Sequence, residues 1–410
     1  MNRVRRLALM LIVALMVSAT ASCGASGSTP SSAPTKPAPG LGAPPSPDAS
    51  ASPQKAPNYV VRGNLMRSRD KFVTQKTGRV AFLGGSVTNT TWRDKVQEYL
   101  TQQFPDTTFD FINAGMNGTP AELGAFRLEE DVFSKGPVDL LFLEFAVNGG
   151  SAEAMEGIVR HARALSPDID IVQMHIAANW FSDGLDKGVL PDTVVVHEQV
   201  AAHYGNCSLH LYKEIYDRVK AGEFTWNQFS DDGVHPNEFG STIYAQFVTG
   251  FLGMMWSQKD QKAVPYSMPA PMTAAPWEHA SLVSYDKATA TNGFTAVDDF
   301  MPAQNNGNLK GPISFVGTST PGSTISFSFQ GTIVGLYTAV AGDSAIVDYQ
   351  IDGAAWAELD TSRDSWYPSD WWRMAGFVIT TSLADGPHTI TFRTNAGSGK
   401  TFRVYRLMVG

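Results

Sequence analysis

Between residues 79 and 256 the chain alternates two hydrophobic rhythms. Short, nearly continuous apolar runs at Arg79–Leu83, Phe109–Ile112, Leu140–Val147 and Ile169–Ile176 read as strands buried on both faces. The segments between them are apolar at helical spacing. Trp92, Val96, Leu100 and Phe104 share one face of a helix over 92–104, and helices follow over 121–133, 152–165 and 194–204. A short strand at 208–211 and a closing helix over 238–256 complete the series. Strands separated by helices of this length predict a parallel sheet covered on both faces. In such sheets ligands bind beyond the carboxyl ends of the strands.

Beyond about residue 280 the rhythm shortens to two. Ile325, Phe327 and Phe329 interleave with Thr324, Ser326 and Ser328, and further short runs fall at 333–337, 345–351, 377–381, 388–393 and 402–408. Asp352-Gly353 is a hairpin signal between two of them. This predicts an antiparallel β-sandwich of jelly-roll type. Residues 257–279, with Pro265, Pro269, Pro271 and Pro276, read as a linker or a strap across the first domain. Two domains are therefore expected, over 59–256 and 280–410.

The first 23 residues belong to neither. Arg3, Arg5 and Arg6 precede an apolar run from Leu7 to Val17, then small residues and Cys23. This is the pattern of a secretory signal, too short to span a bilayer as a helix. Ala21-Ser22-Cys23 resembles a bacterial lipobox, which would make Cys23 the lipidated N-terminus, although Thr20 departs from the usual leucine. The expectation is a membrane-anchored protein of the cell envelope; ordinary cleavage and secretion is the alternative. Residues 24–58 are mostly Gly, Ala, Ser, Thr and Pro, with nine prolines, and suit a semi-rigid spacer rather than a packed domain.

Composition narrows the function classes. With 43% hydrophobic and 17% charged residues the chain can build a sizeable core, and a net charge of −8 without basic clusters argues against nucleic acid as a partner. Two cysteines exclude a disulfide scaffold and a thiolate zinc cluster. If Cys23 carries lipid, Cys207 has no partner and reads as a small buried apolar residue.

Four segments following strands or preceding the last helix carry chemistry: Gly84-Gly85-Ser86-Val87-Thr88, Asn113-Ala114-Gly115, Val147-Asn148-Gly149 and Asp232-Gly233-Val234-His235-Pro236-Asn237. A serine after paired glycines can sit on a tight turn with its hydroxyl exposed. The Gly115 N–H and the Asn148 amide are neutral donors suited to an oxyanion. Asp232 precedes His235 by three, close enough to bond Nδ1 and leave Nε2 free for the Ser86 proton. Pro236 can open the following helix. Asp231 is the rival orienter, at a poorer offset.

These blocks, in this order, resemble the SGNH (GDSL-type) hydrolases over residues 78–256. The resemblance implies a flavodoxin-like three-layer α/β/α domain that cleaves or transfers acyl esters without metal or other cofactor. Ser86, Asp232 and His235 would be the triad, and Ser86, Gly115 and Asn148 the oxyanion hole. Two positions depart from the family: Gly85 and Gly149 stand where Asp is common. The second domain resembles the sandwich modules that accompany carbohydrate esterases.

A serine esterase acting on acylated carbohydrate, with acetyl as the acyl group, is therefore expected. The alternatives are an acyltransferase or lipid esterase using the same serine, and a non-catalytic glycan-binding lipoprotein. His175, Asn179 and Trp180, after the fourth strand, are candidate substrate-lining residues. Trp366, Trp371 and Trp372 form an aromatic segment suited either to stacking on sugar rings or to packing between the domains.

Overall fold

The computed structural model describes residues 57–257, 260–275, 277–291, 293–362, 370–395 and 400–410. The leader with Cys23, the Pro-rich segment up to residue 56, and Trp366 lie outside these residues. No helix among the described residues is long and apolar enough to cross a membrane.

The first domain is a six-stranded sheet. Its strands are β1 (Tyr59–Val60), β2 (Thr77–Gly84), β3 (Thr108–Gly115), β4 (Leu140–Glu144), β5 (Asp170–Met174) and β6 (Cys207–Leu209), in the order β1-β6-β5-β4-β2-β3. Strands β2 to β6 are parallel, and β1 adds an antiparallel edge on β6. Apart from that edge strand this is the flavodoxin-like order, so the fold expected from the sequence is the one observed. The helices are α1 (Met66–Thr74), α2 (Trp92–Gln103), α3 (Ala121–Phe126), α4 (Ala152–Leu165), α5 (Ser182–Leu185), α6 (Asp192–Tyr204), α7 (Leu211–Lys220), α8 (Trp226–Phe229) and α9 (Glu238–Trp256).

Alternation along β2 divides the core into two layers. Val80 and Phe82 pack with Phe72 of α1, Trp92 and Val96 of α2, and Tyr244 and Val248 of α9. Ala81 and Leu83 point the other way, towards Ala125 of α3, Met155 and Ile158 of α4, and Val200 of α6. The single helix expected over 121–133 is broken. α3 stops at Phe126, and a π-helical turn covers Glu129–Phe133. The buried Arg127 between them turns inward to bond strand carbonyls.

The second domain is antiparallel. One sheet runs β14 (Ala357–Asp360), β13 (Ile346–Ile351), β16 (Pro387–Thr394), β11 (Thr324–Gln330), β8 (Thr289–Ala290). Facing it lies β15 (Arg373–Thr380), β12 (Val334–Val340), β18 (Arg406–Val409), β7 (Ser281–Ser284), and a third sheet joins β17 (Phe402–Val404), β10 (Ile313–Thr318) and β9 (Thr295–Phe300). Ile325, Phe327 and Phe329 point into the sandwich, as their alternation predicted, and pack with Val334 and Leu336 of β12. Asp352 and Gly353 both have positive φ, at 51° and 73°, between the paired strands β13 and β14.

The other face of β12 explains why that strand is buried throughout. Tyr337 and Ala339, with Met374 and Met408, belong to the same apolar cluster as Leu123, Ala125 and Phe126 of the first domain. The two domains share a core. The segment between them is a strap: Tyr266 donates to Asp170 Oδ1 (2.8 Å), and the Thr273 N–H donates to Glu156 Oε2 (2.8 Å). Gly157 of α4 is held to glycine by the strap, since a Cβ there would stand 2.5 Å from the Trp277 carbonyl carbon.

Candidate active site

Strand β2 delivers Ser86 at its carboxyl end. Ser86 opens one 3-10 turn, Val87–Asn89, with φ −68° and ψ −32°, and its carbonyl accepts the Asn89 N–H at 2.9 Å. Its hydroxyl does not cap that turn but lies 2.7 Å from His235 Nε2. On the far side of the ring Nδ1 is 2.5 Å from Asp232 Oδ2. The second carboxylate oxygen accepts the N–H groups of Val234 (3.0 Å) and His235 (2.9 Å) and the Ser230 hydroxyl (3.0 Å). Burial by itself would raise the Asp232 carboxyl. The hydrogen bonds from the His235 ring and from the two amides outweigh it and hold the group well below the usual carboxylate range. Asp231 is turned away, 3.4 Å from Asn237 Nδ2. Asn237, not Pro236, caps α9, accepting the Gly240 N–H at 3.1 Å, so the proline stands just before the cap rather than in the first turn.

The Asp232–His235 loop is fitted against the segment after β5. The Asn179 N–H donates to the Gly233 carbonyl at 2.8 Å, and a Cβ on Gly233 would stand 2.2 Å from Asn179 Nδ2. With φ at +86° as well, position 233 requires glycine.

The three expected oxyanion donors lie at or beyond the carboxyl ends of the neighbouring strands β2, β3 and β4. Asn148 lies beside the turn that carries Ser86, its Oδ1 buried without a hydrogen-bond partner among the described residues. Gly149 follows with φ +90°, a backbone conformation that favours glycine. Gly115 ends β3 in register with Gly84. A Cβ at 115 would meet Thr88 Cβ at 2.8 Å, so its glycine allows the two turns to touch. Its N–H is engaged by Asn113 Oδ1 at 3.0 Å, a local bond that an oxyanion would have to displace or share.

Two buried charges beneath these turns were not singled out from the sequence. Glu144 Oε1 accepts the N–H groups of Gly85 (3.1 Å) and Thr88 (3.2 Å) and the Thr88 hydroxyl (2.6 Å). Burial pushes its carboxyl up to about 7, against those three hydrogen bonds and the charge of Arg127. Arg127 donates to the carbonyls of Ala114 (2.6 Å) and Gly84 (3.0 Å). A charged residue inside an otherwise apolar strand run was the available signal for Glu144.

The expected rim residues divide. Trp180 is 55% exposed, and Asn179 is exposed beside the Gly233 turn. His175 is fully buried and lies 2.9 Å from Glu198 Oε2, so it cannot line the cleft surface as expected. It belongs to a group with Glu198 and His210 whose ligand atoms are close enough to hold a metal ion. Arg62 already bonds Glu198 Oε1 at 2.6 Å, which makes the group a neutralised hydrogen-bond network as it stands. Cys207 is buried, as expected, its thiol pushed up to about 11 by burial.

Trp371 is exposed, whereas Trp372 packs on Phe300 with ring centroids 4.6 Å apart and lies under the Arg403 guanidinium. The Trp372 backbone pairs with Gln304 and Asn306. From there Asn306 O accepts from Asn117 Nδ2 (2.7 Å), and Lys310 Nζ donates to Asn113 O (2.9 Å). The sandwich therefore braces the loop that follows the Gly115 turn.

No family model and no curated protein matches the chain by sequence. Solved structures do match. One is a two-domain esterase described as active on acetylated mannans, with a TM-score of 0.71 at 22% identity over 86% of this chain and 97% of that one. The same description with mannopentaose co-crystallised gives a TM-score of 0.70 at 22% identity, over 86% and 96% of the two chains. A lipase/acylhydrolase from Enterococcus faecalis aligns with 45% of this chain and 100% of its own, at 18% identity and a TM-score of 0.33. At 22% identity the likeness to the two-domain esterase is one of fold: this chain shares its architecture, an α/β/α domain joined to a β-sandwich.

Proposed function

We propose that this protein is a serine esterase that removes acyl groups, acetyl foremost, from carbohydrate at the cell envelope. The observation that carries the reaction class is the continuous chain from Ser86 Oγ through His235 to Asp232, at 2.7 and 2.5 Å, at the carboxyl end of the sheet. The anionic Asp232 fixes the Nδ1–H tautomer, leaving Nε2 to accept the Ser86 proton as Oγ attacks the ester carbonyl. Negative charge then develops on the carbonyl oxygen beside the Asn148 amide and the Ser86 and Gly115 N–H groups. Collapse expels the sugar hydroxyl, which takes its proton from His235. Water, deprotonated by the same imidazole, then releases the acid and restores Ser86.

Carbohydrate as substrate is supported by the described activity of the matching two-domain esterase on acetylated mannans and by its co-crystallisation with mannopentaose. The exposed Trp180 and Trp371 are aromatic faces suited to sugar rings. The arginine-bearing leader, the lipobox-like Cys23 and the Pro-rich spacer support a body tethered outside the membrane. A substrate panel tests this reading: acetylated mannan and other acetylated glycans, p-nitrophenyl acetate, and long-chain lipid esters, each with and without acceptor sugars. Acetate release from glycans in excess of lipid ester cleavage is expected. Preference for long-chain esters, or acyl transfer exceeding release, would replace it.

A further inference from the structure

We propose that Glu144 and Arg127 are positioning residues for this reaction, a buried pair that holds the turns carrying Ser86 and Gly115. The proposal rests on Ser86 being the nucleophile. Both side chains are 1% exposed, at the carboxyl end of β4 and just after α3. Their targets are backbone groups of the catalytic turns. The peptide unit joining Gly84 to Gly85, which enters the nucleophile turn, is gripped at both ends. Its carbonyl accepts from Arg127 (3.0 Å), and its N–H donates to Glu144 (3.1 Å). Glu144 also draws in the Thr88 N–H (3.2 Å), so the amides on either side of Ser86 are tied to one buried oxygen. The Ser86 N–H between them stays out of that set.

Arg127 reaches the second turn as well. It donates to the Ala114 carbonyl at 2.6 Å. That carbonyl and the Gly115 N–H belong to a single planar peptide unit. A cation on the oxygen fixes the plane of the unit and polarises its N–H towards stronger donation. Asp131 completes the grip, 2.6 Å from the same guanidinium nitrogen. Charges withdrawn from water are a poor device for stability alone, since apolar replacements often serve as well. Here each is spent on orienting the backbone of a reacting turn.

The test uses Arg127→Lys, Arg127→Met, Glu144→Gln and Glu144→Ala with p-nitrophenyl acetate. Turnover is expressed per serine titrated to completion with a fluorophosphonate, and Tm is recorded. A lysine keeps the charge but lacks the planar fork whose two nitrogens reach the two carbonyls, and a glutamine keeps one acceptor oxygen. Arg127→Met and Glu144→Ala should lower kcat about 10²-fold with KM within about twofold, the scale of a small misplacement of reacting groups. The conservative variants should recover about tenfold of that loss. If the Met and Ala variants fail to fold, the conservative pair decides: a kcat loss of about tenfold at near wild-type Tm supports the proposal. Wild-type kcat per titrated serine, or a change confined to KM or Tm, overturns it. Ser86→Ala run alongside separates the two readings. Turnover surviving in that variant removes the nucleophile assignment, whereas a dead Ser86→Ala beside fully active Glu144 and Arg127 variants removes only the positioning role.

Discussion

The carboxamide of Asn148 occupies the space in which a side chain at position 85 would begin. A Cβ on Gly85 would stand 2.0 Å from Asn148 Oδ1 and 2.8 Å from its Cγ. That space is already filled, which gives glycine at 85 a physical reason. With no side chain at 85, the Asn148 amide can lie directly against the nucleophile turn. Gly149, at φ +90°, lets the chain turn away immediately afterwards.

Gly85→Ala should therefore act as a displacement of Asn148. Asn148→Ala should lower kcat by roughly 10²–10³ with KM little changed, the scale of one lost oxyanion donor. Gly85→Ala should approach the same loss. Because both act on one group, the double variant should lose no more than Asn148→Ala alone. Steady-state kinetics on the three variants check this, and additive losses would separate the two positions.

Glu144 makes stability depend on pH in a definite direction. Its carboxyl titrates at about 7 in the folded protein and near 4.5 when free of the fold. The unfolded chain therefore gives up this proton first as pH rises. The group costs the folded state nothing at low pH and about 3 kcal/mol once pH exceeds both values. Stability should fall between about pH 5 and pH 8, and Glu144→Gln should flatten that decline. Chemical denaturation of both proteins across this range is the check; parallel curves would mean that Glu144 is not the group responsible.

Trp371 and Trp372 should behave differently although adjacent. Trp372 packs on Phe300 and Arg403, so Trp372→Ala should lower Tm, losing part of the about 3–5 kcal/mol that a fully buried large aromatic contributes. Trp371 is exposed, and Trp371→Ala should hold Tm and small-ester turnover while weakening cleavage of polymeric acetylated glycan. Unchanged glycan kinetics would remove Trp371 from the substrate path.

The candidate triad was legible because Ser86 directly follows a readable strand, and because Asp232 lies three residues before His235, just ahead of the readable closing helix. What stayed hidden depends on contacts distant in sequence. β1 is two residues long and exists through pairing with β6, and α1 (Met66–Thr74) buries only Met66, Ser68 and Phe72 of a stretch with four charged residues. His175 looked like a cleft residue by its place after β5, but Glu198, 23 positions on, claims it from α6. Arg127 hid in a helical pattern that the structure breaks so that its guanidinium can reach Gly84 and Ala114. The period-two alternation of 324–329 located one face of the sandwich. It did not reveal that β12 would be covered on both sides, because its second cover is the other domain.

The central claim, that Ser86 is an acyl-accepting nucleophile activated by His235, is tested most directly by fluorophosphonate labelling followed by peptide mapping, with acetate release assayed on the same samples. Wild type should be labelled at Ser86 alone and lose activity in proportion. Ser86→Ala should remain folded, resist labelling, and lose turnover by two to four orders of magnitude, roughly the scale for a serine-centred triad. Substantial acetate release by folded Ser86→Ala, or inactivating label at another residue, would contradict the account.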